Sequence, residues 1–351
     1  LGLAYTAAVT PSHWEVKIAD ENIEPFVYEE ADLVGITAFT SNINRAYDIA
    51  GLYRAKGIKV IIGGIHGSML PDEALQYADS VVIGEVENIW KQVIEDFESN
   101  RLMPKYHGPR IDLSQPLISP RRDLLSDQYF WNSVQTSRGC PFKCNFCSVS
   151  RYLGKAYRQR KAVDVLHELE GIDGEYILFV DDNLIGNTLE NKSRAVDLFK
   201  GMINRNLNKK WWMQTSINAS DDEQVVELAA RSGCMFVFIG FETIDKKTLK
   251  DMKKGVNLKV GIENYKNVIN RFHKYGIGVY GAFVIGNDGE SAEYYRELAK
   301  FLSTSGIDIV QITILTPLPG TELMDELQRE GRLMYQNYPG DWDKHRFSYV
   351  V

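Results

Sequence analysis

Apolar and polar positions alternate in blocks along the first hundred residues. HWEVKIAD (13–20), ADLVGITAF (31–39), KVIIGG (59–64) and SVVIGE (80–85) are short apolar runs that predict strands. Between them INRAYDIAGLYRAKG (43–57), DEALQYA (72–78) and NIWKQVIEDFES (88–99) place apolar residues at helical spacing. Short strands separated by amphipathic helices imply parallel pairing through right-handed crossovers, so residues 1–105 are expected to form a doubly wound, Rossmann-like α/β unit. Its strands end in small residues: TAFTSN at 37–42, GGIHGS at 63–68 and GEVE at 84–87. Ligands of open α/β sheets bind beyond such carboxyl ends, which joins the three loops into one expected site.

The stretch from 101 to 131 contains Pro104, Pro109, Pro116 and Pro120 and no sustained period, and 106–131 is read as a linker packed along a surface. Alternation then resumes in larger units. NSVQTSR (132–138), YILFVDD (176–182), KWWMQTSI (210–217), MFVFIGF (235–241), IGVYGAFV (277–284) and IDIVQITI (307–314) are the strands. Helical runs such as ENKSRAVDLFKGMINRN (190–206) and DEQVVELAARSG (222–233) separate them. Six βα units in one register predict a partial (β/α)6 TIM-type barrel over 132–331, with its chemistry at the strand C-termini and a C-terminal extension at 332–351. The chain opens on a helical run without an initiator Met, and DKHRFSYVV at its end resembles an unfinished strand. The first strand of the N-terminal unit is therefore expected to precede residue 1, and the C-terminal extension to continue past residue 351.

Composition narrows the partners. Lys and Arg number 40 against 47 Asp and Glu, a net charge of -7, so no general basic field draws the chain to nucleic acid or anionic lipid. No run approaches the roughly 18 apolar residues of a membrane span. Four cysteines, three of them crowded together, fit a reducing, cytoplasmic setting better than a disulfide framework.

The crowded three lie in RGCPFKCNFC (138–147), after the first strand of the predicted barrel. Cys140, Cys144 and Cys147 are one ligand short of a structural zinc site, and the nearest histidines, His107 and His167, are twenty or more residues away. A C-x-x-C redox pair would leave Cys140 unexplained. A [4Fe-4S] cluster normally takes four thiolates, and with three it keeps one iron open for a ligand that is not protein.

RGCPFKCNFC resembles the cluster loop of radical S-adenosylmethionine (radical SAM) enzymes. The resemblance implies that the three cysteines hold a [4Fe-4S] cluster whose fourth iron chelates S-adenosylmethionine. Reductive cleavage then yields methionine and a 5'-deoxyadenosyl radical. It implies an adenine contact for Phe146, and cofactor contacts for Asp181 and Asp182 in FVDDN, Ser216 and Asn218 in QTSINAS, Glu242 in IGFET and Gly286 in GAFVIGNDGE. For the polar members the alternative is ordinary strand-end hydrogen bonding. Cys234, entering an apolar strand, is read as a buried structural thiol. TPLPGTEL (316–323) is either a substrate-closing loop or a helix cap.

With the N-terminal unit and the proline-rich stretch in front of it, the chain is similar to the cobalamin-binding subclass of that family. The resemblance places a corrinoid at Thr37, Ser41, Gly63, Gly64, His66, Ser68, Gly84 and Glu85. His66 does not stand in the D-x-H-x-x-G pattern of histidine-ligated cobalamin proteins, so it is expected to hydrogen-bond within its loop, and cobalt to have no protein imidazole. The implied function is radical methylation of an unactivated carbon in a small-molecule or lipid-like substrate. A second S-adenosylmethionine would remethylate cob(I)alamin, and flavodoxin or ferredoxin would donate electrons. The alternatives are a unit that has lost its corrinoid and serves as a substrate platform, a radical enzyme that cyclises or couples carbons, and a non-catalytic iron-sulfur electron carrier.

Overall fold

The computed structural model describes residues 1–154 and 156–351. The strands, in chain order, are β1 (Leu33–Thr37), β2 (Lys59–Gly63), β3 (Ser80–Gly84), β4 (Lys105–Gly108), β5 (Asn132–Val134), β6 (Ser137–Arg138), β7 (Arg158–Gln159), β8 (Tyr176–Phe179), β9 (Lys210–Thr215), β10 (Cys234–Glu242), β11 (Gly278–Ile285) and β12 (Ile309–Ile314). The N-terminal helices are α1 (Gly2–Val9), α2 (Ile43–Arg54), α3 (Gly64–Met69), α4 (Pro71–Tyr77) and α5 (Trp90–Glu98). They are followed by α6 (Val149–Tyr152), α7 (Ala162–Glu170), α8 (Leu189–Asn204), α9 (Glu223–Arg231), α10 (Lys246–Asp251), α11 (Gly255–Val260), α12 (Tyr265–His273), α13 (Ala292–Thr304) and α14 (Glu322–Arg329).

The N-terminal sheet has the order β1-β2-β3-β4, all parallel. Its central strands, β2 and β3, are buried on both faces, as parallel strands are. Val60, Ile62 and Val81 pack against α2 and α4 on one side, and Ile61 and Val82 against Trp90, Val93 and Ile94 of α5 on the other. The run 13–20 departs from its expectation. Residues 15–20 are extended and alternate in exposure, yet they pair with no strand, because a two-residue period reports a face and not a neighbour. KYHG departs the other way: it lies where a linker was expected, but forms β4 and pairs with β3 from Val81↔Lys105 to Gly84↔Gly108. One buried apolar residue, Tyr106, behind Pro104 is too little pattern to announce a strand.

The second sheet has the order β12-β11-β10-β9-β8-β5, again all parallel, with β5 and β12 left as open edges. Sequence neighbours are spatial neighbours throughout, the arrangement of a partial barrel. Ile177, Phe179, Trp211, Met213, Val237, Ile239, Phe241, Val279 and Phe283 point outward into a core shared with the buried stripes of α7, α8, α9 and α12. The alternate residues Leu178, Trp212, Phe238 and Tyr280 therefore face the inside. Several helices start where a side chain closes the first turn: Thr188 accepts from Asn191 N at 3.1 Å, and Asp222, Asp245, Ser291 and Thr321 cap α9, α10, α13 and α14.

The last twenty residues form no strand. They fold back over the N-terminal unit, where Trp342 is buried in the α2–α4 core and donates to both oxygens of Glu73 at 3.0 Å. The neighbouring tryptophans 211 and 212 offer a direct test of the inside-outside assignment. Trp211 is fully buried, stacks on Phe199 at 5.1 Å and donates to Ser232 O at 2.9 Å. Trp211→Ala is expected to cost ~3–5 kcal/mol, and Trp212→Ala clearly less, in denaturant unfolding.

Candidate functional site: a three-thiol loop beneath the N-terminal unit

The cysteine loop is held at its neck. β6 and β7 form an antiparallel ribbon, Ser137↔Gln159 and Arg138↔Arg158, and the loop between them carries Cys140, Cys144 and Cys147. Gly139 starts the loop with φ +89°, and a Cβ there would meet Ala156 O at 2.9 Å, so no other residue fits. Asn145 fixes the middle. Its backbone N donates to Met252 O at 3.2 Å, its side chain to Asp251 O at 3.0 Å, and its carbonyl accepts from Leu323 N at 3.1 Å.

All four cysteines are free thiols. Burial raises the pKa of Cys140, Cys144 and Cys147, the last to about 12, and the charges of Cys144 and Cys140 add to the rise at Cys147. The three therefore share one desolvated patch, in which thiolates need a cation to persist. Lys254 acts on all three. Burial opposes its charge, but Glu242 and Cys144 outweigh that and raise its pKa. Among the described residues no three His, Cys, Asp or Glu side chains surround a single ion-sized point, as one zinc would need. A cluster that offers each thiolate its own iron has no such need. The donor set fits a [4Fe-4S] cluster with one iron open.

The other expected contacts divide. Asn183, four residues past β8, donates to Ser216 Oγ at 2.8 Å and reaches within 4.0 Å of Cys140 Sγ, so the loops after the second and third barrel strands meet beside the first thiol. Asp182 is held at about 6, by burial first and by Asp181 second. Glu242 ends β10 at φ +66° beside a register shift and pairs with Lys254. A Cβ on Gly240 would lie 2.2 Å from Glu242 Oε1, so glycine is what lets this carboxylate turn back over its strand. Strained backbone of this kind gathers at functional sites. Gly286, with φ +87°, donates its N–H to Glu290 at 2.8 Å just past β11. Phe146 is partly buried between the second and third thiols. Asn218 donates to Gly186 O at 3.2 Å, and its Oδ1 is buried without a partner.

Asp181 is fully buried and accepts from Thr136 N at 3.1 Å, from Thr136 Oγ1 at 2.9 Å and from Ser137 Oγ, so it braces the segment between β5 and the neck of the loop. Cys234 is buried, with its thiol 3.5 Å from Phe236 O, as a structural thiol would be. Asn183, Asn145 and Lys254 were not picked out from the sequence. Asn183 adjoins FVDD and was within reach of that reading, whereas no spacing rule joins Lys254 to cysteines a hundred residues earlier.

In the N-terminal unit, Thr37 is exposed at the end of β1, and Ser41, Gly63 and Gly64 are partly open beside it. Gly64, at φ +84°, lies so near that an added Cβ would be 2.3 Å from Thr37 Oγ1, so glycine lets the second loop approach the end of β1 closely. Ser68 links the second and third loops: its hydroxyl donates to Gly64 O at 2.7 Å and accepts from Gly84 N at 3.0 Å. This rim of small residues suits a flat ligand such as a corrinoid. His66 is fully buried, its two ring nitrogens 3.1 Å from Thr40 Oγ1 and from Glu73 Oε1, so it has no nitrogen free for cobalt. Glu85, expected at the corrinoid, is also engaged elsewhere. Its carboxylate accepts from Ile111 N at 2.8 Å and pairs with Arg158 and Arg138 of the ribbon.

A parallel sheet ending in a small-residue rim is docked over a partial barrel whose first loop presents three thiols. Residues 134–302 match the Radical SAM superfamily and residues 1–94 the B12 binding domain. The bacteriochlorophyllide d C-12(1)-methyltransferase of Chlorobaculum tepidum is 30% identical over 363 residues, covering 98% of this chain and 76% of that protein. The hopanoid C-2 methylase of Rhodopseudomonas palustris is 29% identical over 353 residues, covering 96% and 65%. Among solved structures, the radical S-adenosylmethionine methyltransferase TsrM from Kitasatospora setae superposes with a TM-score of 0.73 at 17% identity, over 88% of this chain and 67% of that one, and shares the fold. The chain belongs to the radical SAM superfamily, in the group that carries a cobalamin-binding domain. Its cofactors are a [4Fe-4S] cluster, S-adenosylmethionine and cobalamin. No helix among the described residues is long and apolar enough to cross a membrane.

Replacing any one of Cys140, Cys144 or Cys147 by Ala is expected to abolish the broad visible absorbance of the reconstituted iron-sulfur protein. Cys234→Ala is expected to keep it, with some loss of thermal stability.

Proposed function

We propose that this chain is a cobalamin-dependent radical SAM methyltransferase acting on an unactivated carbon of a small-molecule or lipid-like substrate. The observation that supports the reading is that the loop carrying Cys140, Cys144 and Cys147 is tied to the turn after β3 of the B12-binding unit, through Arg138 to Glu85 and Glu87 and through Tyr152 to Gly84 O. When bound, the cofactors supply a carbon-centred radical for hydrogen abstraction and a methyl group for transfer.

The chain's own residues hold and enclose. Cys140, Cys144 and Cys147 are the three ligands proposed for the cluster. Lys254 sets a buried positive charge beside the thiolates, and Glu242 keeps that lysine charged and oriented. Asn183 and Ser216 offer polar groups next to Cys140, and Asp182, with a pKa near 6, can hold or release a proton there around neutral pH. Thr37, Ser41, Gly63, Gly64 and Gly84 are the proposed corrinoid rim. The inner faces of the strands, with Leu178, Trp212, Phe238 and Tyr280, keep water from the reacting carbon, as radical chemistry demands. A ring-bearing apolar acceptor suits that lining, and the bacteriochlorophyllide and hopanoid methylases among the relatives support this substrate class. An external flavodoxin or ferredoxin is the proposed electron donor, in a cytoplasmic setting where the thiols stay reduced.

The test is anaerobic reconstitution with iron, sulfide, hydroxocobalamin and reductant, followed by mass spectrometry after addition of S-adenosylmethionine with and without a chlorophyllide or hopanoid acceptor. Both 5'-deoxyadenosine and S-adenosylhomocysteine are expected. Deoxyadenosine alone would overturn methyl transfer, and neither product would overturn radical chemistry as well.

A further inference from the structure

The ribbon that carries the thiols has an electrostatic fault. Arg138 and Arg158 are opposite one another in the β6–β7 pair, and like charges so placed weaken a two-stranded ribbon. Both side chains are mostly buried, which raises the cost further. The N-terminal unit supplies the countercharge from a single turn after β3. Glu85 Oε2 is 3.2 Å from Arg138 Nη1 and 3.0 Å from Arg158 Nη1, Glu85 Oε1 pairs with Arg158 Nη2, and Glu87 pairs with Arg138 Nη2. Burial pushes the Glu85 pKa up, but hydrogen bonds from Arg158 and Ile111 N and the Arg138 charge prevail and hold it below the usual carboxylate range.

The same turn begins at Gly84, on the proposed corrinoid rim, and Gly84 O also receives Tyr152 OH of α6, at 3.5 Å, from within the thiol loop. Each side of the lock therefore lies within two positions of a cofactor position: Gly84 adjoins Glu85, and Cys140 follows Arg138 by two.

We propose that Glu85, Glu87, Arg138 and Arg158 are positioning residues: a buried four-charge lock that holds the corrinoid loop and the neck of the cluster loop at one fixed separation. None of the four touches the reacting atoms. They act through Gly84 on one side and Cys140 on the other. The purpose assigned to the lock rests on the proposed function, whereas the lock itself is a property of the chain alone.

Two measurements separate these levels. Hydrogen exchange on the chain without cofactors is expected to quicken on the order of tenfold or more at 84–88 and 137–159 in the Glu85→Gln, Glu87→Gln double variant, with β9 and β10 unchanged. Arg158→Lys, which keeps the charge but loses the fork, is expected to lie between that variant and the wild type. In the reconstituted protein, the reduced cluster should broaden and speed the relaxation of the cob(II)alamin electron paramagnetic resonance signal, and the double variant should lose that coupling while still binding both groups. Unchanged exchange in the double variant would overturn the lock. Faster exchange with unchanged cobalt relaxation would overturn its role in spacing the cofactors. A wild-type chain that takes up neither cluster nor cobalamin would overturn the functional reading and leave exchange to decide the lock.

Discussion

The interaction on which the arrangement depends is the burial of Glu85 between two arginines that would otherwise repel. Taking ions out of water costs several kcal/mol each even after relaxation, and close pairing returns this only if the geometry is held. Glu85 meets that condition with contacts from two arginines and a backbone N–H, both of its oxygens engaged. Such a contact has no loose intermediate form, since a partly opened interface would strand buried charges. The two sheets are thereby committed to one relative placement, with the carboxyl ends of β1–β3 brought to the mouth of the barrel.

That placement explains why two parallel sheets are used. Every strand of a parallel sheet ends on the same edge, so a run of short loops gathers without any long connection. The N-terminal sheet collects small residues at its edge, and the six-stranded sheet collects polar ones: Asn183, Ser216, Glu242 and the glycine turn at 286. Bringing edge to edge puts a surface that offers backbone against one that offers side chains. Each supplies what the other lacks for enclosing a large flat group above a small charged one.

Much of this was legible in the sequence, for reasons that differ by element. All six barrel strands are anticipated within a few residues, because strands with helices on one face and the barrel interior on the other read as near-continuous apolar runs, as MFVFIGF and YILFVDD do. HWEVKIAD misled because alternation measures which side of a chain is wet and says nothing of a neighbouring strand. KYHG went unseen because pairing through backbone groups leaves little mark on side-chain composition. Within the site, the cysteine spacing is readable because it is local. Asp181 and Glu85 stand at strand ends, where a carboxylate can face a ligand or brace a neighbour; spacing does not tell these apart, and in the structure both are bonded to neighbouring elements. Lys254 was out of reach, since its relation to the thiols is made entirely by the fold.

The fold-back of the last segment bears on how the chain comes to be assembled. Trp342 completes the core of the unit that begins at residue 1, bonded to Glu73 across 269 residues. Contacts of such separation are entropically late, since the intervening loop must close before they return anything. During synthesis the N-terminal sheet emerges first, with Tyr47, Tyr77 and the Glu73 carboxylate awaiting an indole that the ribosome has yet to make. The barrel is made in between. A unit made before the barrel thus depends for its completed core on an indole made after it.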